Sequence, residues 1–323
     1  MKSEQEFKAF YSGGLLPILK DMERERKSIT RLFIPTVILP AVLIGLKFLL
    51  SWRHVNVVIF IIFAFITLFL GGIFWFIYYM IVSKRLEALK TRFKAEVVAK
   101  IVSFIDSSLT YSKFGYIEKS EYKESKLFLP HIEEYSGSDL VSGTIGKTNF
   151  RFSEIESFRK TQPGDKNIIQ VIFIGMFFVC DFNKNFKTET VVLPDVGERY
   201  FGSLGTKYQK MNMSRDEFVK MEDPEFEKYF VVYSKDQIEA RYILTPSLMK
   251  KITELKIRTN KGIFLSFIHS KIFIAIQTLK PLEPSFFGSL VNENLIREYF
   301  LYLDSMVGIV EELDLNTRIW TKE

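Results

Sequence analysis

The chain has one cysteine, Cys180, so it cannot form an internal disulfide. Lone thiols of this kind belong to reducing compartments, where folds do not depend on disulfide frameworks. Histidine is nearly as scarce. His54, His131 and His269 stand far apart, and none has a partner at metal-ligand spacing. The most that His131 offers is the neighbouring pair Glu133 and Glu134. Phosphate loops are missing too. Gly143-Thr-Ile-Gly146-Lys147-Thr148 has two residues between its glycines instead of four, and an alternating strand rather than a helix comes after it. Gly202-Ser-Leu-Gly205 lacks the spacing of a nucleophile elbow. With no recognisable catalytic constellation, no cofactor is expected.

Charge of one sign is missing where a nucleic-acid-binding domain would need it. The formal net charge is +6, but residues 1–112 hold 15 Lys and Arg against 8 Asp and Glu. The remainder is almost balanced, with 29 basic and 30 acidic residues. A body without a basic surplus gives no reason to expect phosphate neutralisation, so nucleic acid is not an expected partner.

Long apolar runs, by contrast, are present. Leu32–Leu46 continues through Lys47 to Trp52, and Val57–Val82 is a stretch of 26 residues without a charge. A bilayer core of about 30 Å is crossed by roughly 20 helical residues. The expectation is a two-span transmembrane hairpin, residues 32–82. The first run exceeds a signal-peptide core and no A-x-A-like site comes after it, so it reads as retained. Lys20, Arg24, Arg26, Lys27 and Arg31 precede the first run, and Lys84, Arg85, Lys90, Arg92 and Lys94 come after the second. Only Lys47 and Arg53 lie between. Positive flanks stay in the cytoplasm. The predicted location is therefore a bacterial inner membrane, with both termini cytoplasmic. Lys84, Arg85, Lys90, Arg92 and Lys94 are candidate contacts for anionic lipid headgroups. Ala41 with Gly45, and the Gly71-Gly72 pair, are small residues that let helices approach closely.

Residues 1–31 read as a cytosolic helical segment and 83–112 as a juxtamembrane stalk. Leu86, Leu89, Phe93, Val97, Ile101 and Phe104 recur at helical spacing, and neither Gly nor Pro intervenes before Gly115. The stripe must be covered by the chain's own domain, by Leu15–Arg31, or by a second copy in a homo-oligomer.

Residues 113–323 read as a cytosolic α+β domain, either undivided or as two subdomains split near 200–220. Strands come first and helices later. Asp139–Ile145 and Asn149–Ser153 flank a Gly146-Lys147 turn. Ile168–Asp181 is almost wholly apolar, which predicts a central strand covered on both faces, with Thr188–Leu193 as its hairpin partner. Phe230–Tyr233, Gly262–Phe267 and Lys271–Gln277 are further strands. Asp223-Pro224 starts a short helical turn. Asp236 and Glu239 form a capping box for a helix through Leu244. Thr245-Pro246 opens a helix to about Arg258, and an amphipathic helix closes the chain from about Glu293 to Leu313. Asp236, Glu239 and Arg241 are candidates for a structural ion pair or an interaction site.

Several phrases carry a resemblance. They are Gly175-Met-Phe-Phe with Asp181-Phe-Asn-Lys184, Thr190-Val-Val-Leu-Pro-Asp195, Met221-Glu-Asp-Pro-Glu-Phe-Glu227, and the long run from Phe230 to Pro246. Together with the two apolar runs they resemble the bacterial domain of unknown function numbered 3137. The resemblance implies a membrane protein of unassigned activity and points to a LemA-type membrane protein as partner. It supplies no catalytic residues. The expected function is thus a membrane-anchored interaction or assembly module that binds a protein or lipid. The alternative is a membrane-bound enzyme of unrecognised fold acting on lipid or membrane protein.

Overall fold

A computed structural model describes residues 2–31, 57–145, 148–161, 168–181, 185–195, 217–278, 283 and 288–312. The chain is α+β and divides into two units, Met1–Lys100 with Leu282–Tyr299, and Ile101–Pro281 with Phe300–Glu323.

The first unit is helical. Ser3 caps α1 (Glu4–Phe10) in a capping box with Glu6. A π-helical turn, Tyr11–Leu15, leads into α2, residues 16–31. Helix α3 (Val57–Phe93) passes through a second π-helical turn, Lys94–Val98, into α4 (Ala99–Ile105), which carries the chain into the second unit. A π turn adds a residue and so rotates the helix beyond it. The stalk therefore buries Leu89 and Phe93 above the turn, but adjacent pairs, Val97 with Val98 and Ile101 with Val102, from the turn onward. Phe93 also meets Tyr299 edge-on, with ring centroids 5.9 Å apart.

Among the described residues, no helix is long and apolar enough to cross a membrane. This overturns the expected two-span hairpin and, with it, the inner-membrane location with both termini cytoplasmic. A crossing needs about 20 consecutive apolar helical residues. The first run, 32–52, lies outside the described residues, and the described side chains between 57 and 82 do not supply such a stretch. The small pair Ala41 and Gly45 also lies outside them.

Among the described residues, the second unit is built on an antiparallel sheet of nine strands in the order β1-β2-β3-β4-β9-β8-β5-β7-β6. The strands are β1 (Thr110–Ser112), β2 (Glu134–Ile145), β3 (Thr148–Thr161), β4 (Ile168–Asp181), β5 (Thr190–Pro194), β6 (Phe218–Val219), β7 (Phe230–Ser234), β8 (Ile263–Ile268) and β9 (Lys271–Gln277). The helices are α5 (Lys119–Glu124), α6 (Pro224–Glu227), α7 (Gln237–Ile243), α8 (Pro246–Thr259) and α9 (Glu293–Glu312), and α9 begins in the first unit.

Strand β4 lies between β3 and β9, and residues 175–180 are buried whichever face they point to. That explains the unbroken apolar run, because a strand covered on both sides has no polar face to alternate with. On one face Ile155, Phe173, Phe177, Phe264 and Phe273 pack with Tyr122, Leu127 and Phe128 from α5 and the segment after it. Tyr122 carries its hydroxyl into this core and satisfies it on Ser157 Oγ at 2.9 Å. The opposite face holds Phe152, Met176, Phe178, Ile274 and Leu265, all buried. The predicted hairpin of β4 with Thr188–Leu193 is not formed. Strand β5 instead pairs with β7 and β8, and β4 takes β9 as its second neighbour.

Candidate functional site

In the β-rich unit the register lines up Thr110, Ser142, Arg151, Val179 and Phe273 across five strands. Along this row lies a cleft of about 500 Å³, lined by these first four residues together with Ser108, Asn149, Asp181, Ser270 and Lys271, among others. Helix α5 supplies its acid. Arg151 Nη2 donates to both oxygens of Glu121, at 2.9 and 3.0 Å. Lys271 Nζ reaches Glu121 Oε1 at 3.2 Å and Glu124 Oε2 at 3.0 Å. Burial lowers the Lys271 pKa, but the hydrogen bonds to Glu124 and Glu121 outweigh it and leave the ammonium above its ordinary value. Both cations are thus held by carboxylates, and Glu121 ties α5 to β3 and β9. The cleft is mixed in polarity and broadly open. Its geometry suits weak recognition of a polar group better than enclosure of a reacting one. Among the described residues, no three His, Cys, Asp or Glu side chains are placed to hold a metal ion.

The basic residues after the second apolar run do not share one environment. Lys84 and Arg85 are exposed. Lys90 pairs with Glu283 at 2.9 Å and with Glu87 at 3.5 Å. Arg92 is more heavily engaged, with Asp21 at 2.8 Å, Glu96 at 2.9 Å and Glu25 at 3.3 Å. Its hydrogen bonds to Glu96 and Asp21 raise a pKa that is already high. Lys94 lies half-buried in the second π turn.

Asp236, Glu239 and Arg241 fall on α7 and its N-terminus. Asp236 caps the helix, accepting from the amides of Ile238 and Glu239 at 2.9 and 3.0 Å. The amide of Asp236 donates to Ser234 Oγ. Glu239 reaches across to the segment before β5, where it accepts from the amides of Lys187 and Thr188 and from the Thr188 hydroxyl at 2.7–2.9 Å. Arg241 donates to the Lys220 carbonyl and to Gln237 Oε1. Glu239→Ala therefore strands two amides and leaves the Thr188 hydroxyl only its long contact to Ser234 Oγ at 3.4 Å. A loss of about 2 kcal/mol in urea unfolding is expected, since hydrogen bonds to a charged acceptor contribute roughly 1.5–3 kcal/mol. A loss below about 0.5 kcal/mol would mean that water replaces the carboxylate without cost.

Cys180 is wholly buried at the end of β4, and burial pushes its thiol up to about 12. A thiolate is the reactive form. The native chain should leave a disulfide reagent unreacted near neutral pH and consume one equivalent once unfolded. Rapid native labelling would contradict the placement of β4. His269 stands at φ 55° in the β8–β9 turn and accepts the Phe186 amide on its carbonyl. His54 lies outside the described residues.

Two arrangements escape sequence reasoning. Glu23 and Arg26 form a buried ion pair in α2, visible beforehand only as an acid and a base at i,i+3. Asp139 sits at φ 61° where the β2–β3 register shifts, and it accepts the Tyr111 hydroxyl. Burial, and then the charge of Asp139, push the Tyr111 hydroxyl far above its ordinary pKa.

Residues 171–315 match the model of a protein family of unknown function, DUF3137, and the chain resembles that family from β4 to the end of α9. No curated protein matches the chain. One solved structure, the crystal structure of the mycobacterial trehalose monomycolate transport factor A, TtfA, aligns over 66% of this chain and 95% of its own at 7% identity. Its TM-score of 0.31 is too low to carry an argument.

Proposed function

We propose that this chain is an interaction and assembly module rather than an enzyme, with α3 supplying the contact surface for a protein or lipid partner. One observation carries the reading. Between residues 65 and 80, α3 leaves Phe65, Phe69, Ile73, Trp75, Phe76, Tyr79 and Met80 exposed, at 41% to 70% of their full accessibility. Large apolar patches left open to solvent mark interaction sites. The candidate lipid-headgroup contacts Lys84 and Arg85 come next on the same helix and are also exposed.

The test is to purify the full chain in mild detergent and to measure its mass, its bound protein and its bound lipid. A stoichiometric assembly is expected. Phe69→Glu with Phe76→Glu should abolish it while leaving the urea unfolding of the β-rich unit unchanged. A monodisperse monomer free of protein and lipid would overturn the reading.

The second reading, an enzyme acting on lipid or protein, would use the cleft lined in part by Arg151, Asp181 and Lys271.

A further inference from the structure

The exposed face of α3 has a definite shape. Phe65, Phe69, Gly72 and Phe76 succeed one another at three- and four-residue spacing, so they lie along one side of the helix. Trp75 and Tyr79 flank that side. The rings are ordered in pairs, with Phe65 on Phe69 at 6.5 Å and Trp75 on Tyr79 at 5.7 Å. Gly72 lies between the two pairs. A Cβ placed there would meet nothing within 4 Å, so the helix backbone is bare and open to approach between the two pairs of rings. Rings and a stretch of bare backbone on one face let that face meet its own copy about a two-fold axis.

Two further features favour a second copy as the occupant. Residues 57–82 carry no charge, so pairing identical faces brings no like charges together. The five rings, each of about 150–250 Å² and 51% to 70% exposed, would bury roughly 600 Å² per copy. The pair would then bury about 1,200 Å², the lower bound of a stable specific interface.

We propose that this face is the contact between two copies of the chain, the bare backbone at Gly72 of each meeting the aromatic rings of the other. The proposal rests on the interaction-module reading and names its partner.

The experiment uses the full chain in mild non-ionic detergent, with native Cys180 retained because it is buried. Gly72→Cys places a thiol at the contact, and Ile81→Cys places one outside it. Under a mild oxidant, Gly72→Cys should form a disulfide-linked dimer at least about tenfold faster than Ile81→Cys. Gly72→Leu puts a branched side chain on that bare backbone and should raise the dimer dissociation constant at least about tenfold, since overpacking a close contact costs that much or more. The readouts are light-scattering mass and non-reducing electrophoresis. Equal crosslinking of the two cysteine variants, or a Gly72→Leu chain as dimeric as the parent, overturns the proposal. So does a monomeric parent chain. If that monomer floats with phosphatidylglycerol vesicles and loses Trp75 accessibility to a soluble quencher, the face takes lipid, and only the broader reading survives. If it binds neither copy nor vesicle nor any other protein, both fall.

Discussion

Replacing Gly175 with alanine is expected to cost the β-rich unit about 3 kcal/mol, the upper end of what overpacking a tight interior costs. Gly175 lies where β4 is paired on both sides, opposite Ile155 of β3 and Gln277 of β9. A Cβ there would fall 2.1 Å from the Ile276 carbonyl oxygen, 2.9 Å from Phe173 Cζ and 3.0 Å from Gln277 Cα. Two of these obstacles are backbone atoms of the neighbouring strand. They cannot retreat without opening the β4–β9 ladder, and each ladder hydrogen bond lost from a buried site costs about another 1 kcal/mol. Gly143 provides the control. A Cβ there would meet Leu109 Cδ2 at 2.4 Å, the far end of a side chain that can swing aside. Gly143→Ala should therefore cost well under half as much. Urea unfolding followed by far-ultraviolet circular dichroism gives the comparison, and hydrogen exchange on peptides spanning residues 168–181 localises it. Equal losses in the two variants would contradict the packing of β9 against β4.

Glu23→Ala is expected to destabilise the helical unit by about 3–5 kcal/mol, the range seen when one partner of a buried ion pair is removed. The Glu23 and Arg26 side chains are each only 9% exposed. Arg26 Nε and Nη2 donate to the two carboxylate oxygens at 2.9 and 2.8 Å, and the Leu290 amide donates to the same carboxylate at 2.9 Å. Removing the acid takes two hydrogen bonds from the buried Arg26 guanidinium and the carboxylate acceptor from the Leu290 amide. The pH dependence has a definite sign. The hydrogen bond from Arg26 holds the Glu23 carboxyl down at about 2. Burial opposes it, while the Leu290 amide and the charges of Arg26 and Lys27 add to it. A carboxyl lowered on folding stabilises fully above its unfolded value of 4.5, and that contribution drains away as pH falls toward about 2. Between about pH 6 and about pH 3 the parent helical unit should lose stability more steeply than Glu23→Gln, which has no proton to gain. Parallel slopes, read from exchange protection of residues 16–31, would show that Glu23 is not the titrating group.

The features legible in the sequence are those set by neighbours along the chain. The alternation of Phe150 and Phe152 with polar residues, the apolar run of β4, the Asp236 cap and the Thr245-Pro246 helix start are local patterns, and the structure places elements where they point. Partner choice is not local. Nothing near Thr190 records that β7 and β8 will flank it instead of β4. Glu121 meets Arg151 across 30 residues and Lys271 across 150, distances at which spacing carries no information. The π turn at Lys94–Val98 escapes because the three- and four-residue stripe reads the same with or without one extra residue. The apolar runs are the loudest local signal. The first lies outside the described residues, and the described part of the second supplies no crossing helix.

The placement of β4 also bears on how the protein is made. Its inner neighbour β3 precedes it directly, whereas its outer neighbour β9 is translated only after residues 182–270. For that interval a nascent chain offers the ribosome's surroundings a half-zipped, very greasy ribbon, the kind of edge on which unfinished polypeptides stick to one another. Ribosome-associated chaperones should therefore hold this chain longest while those residues are being added, and a stop codon placed before Lys271 should yield inclusion bodies in place of a smaller folded product.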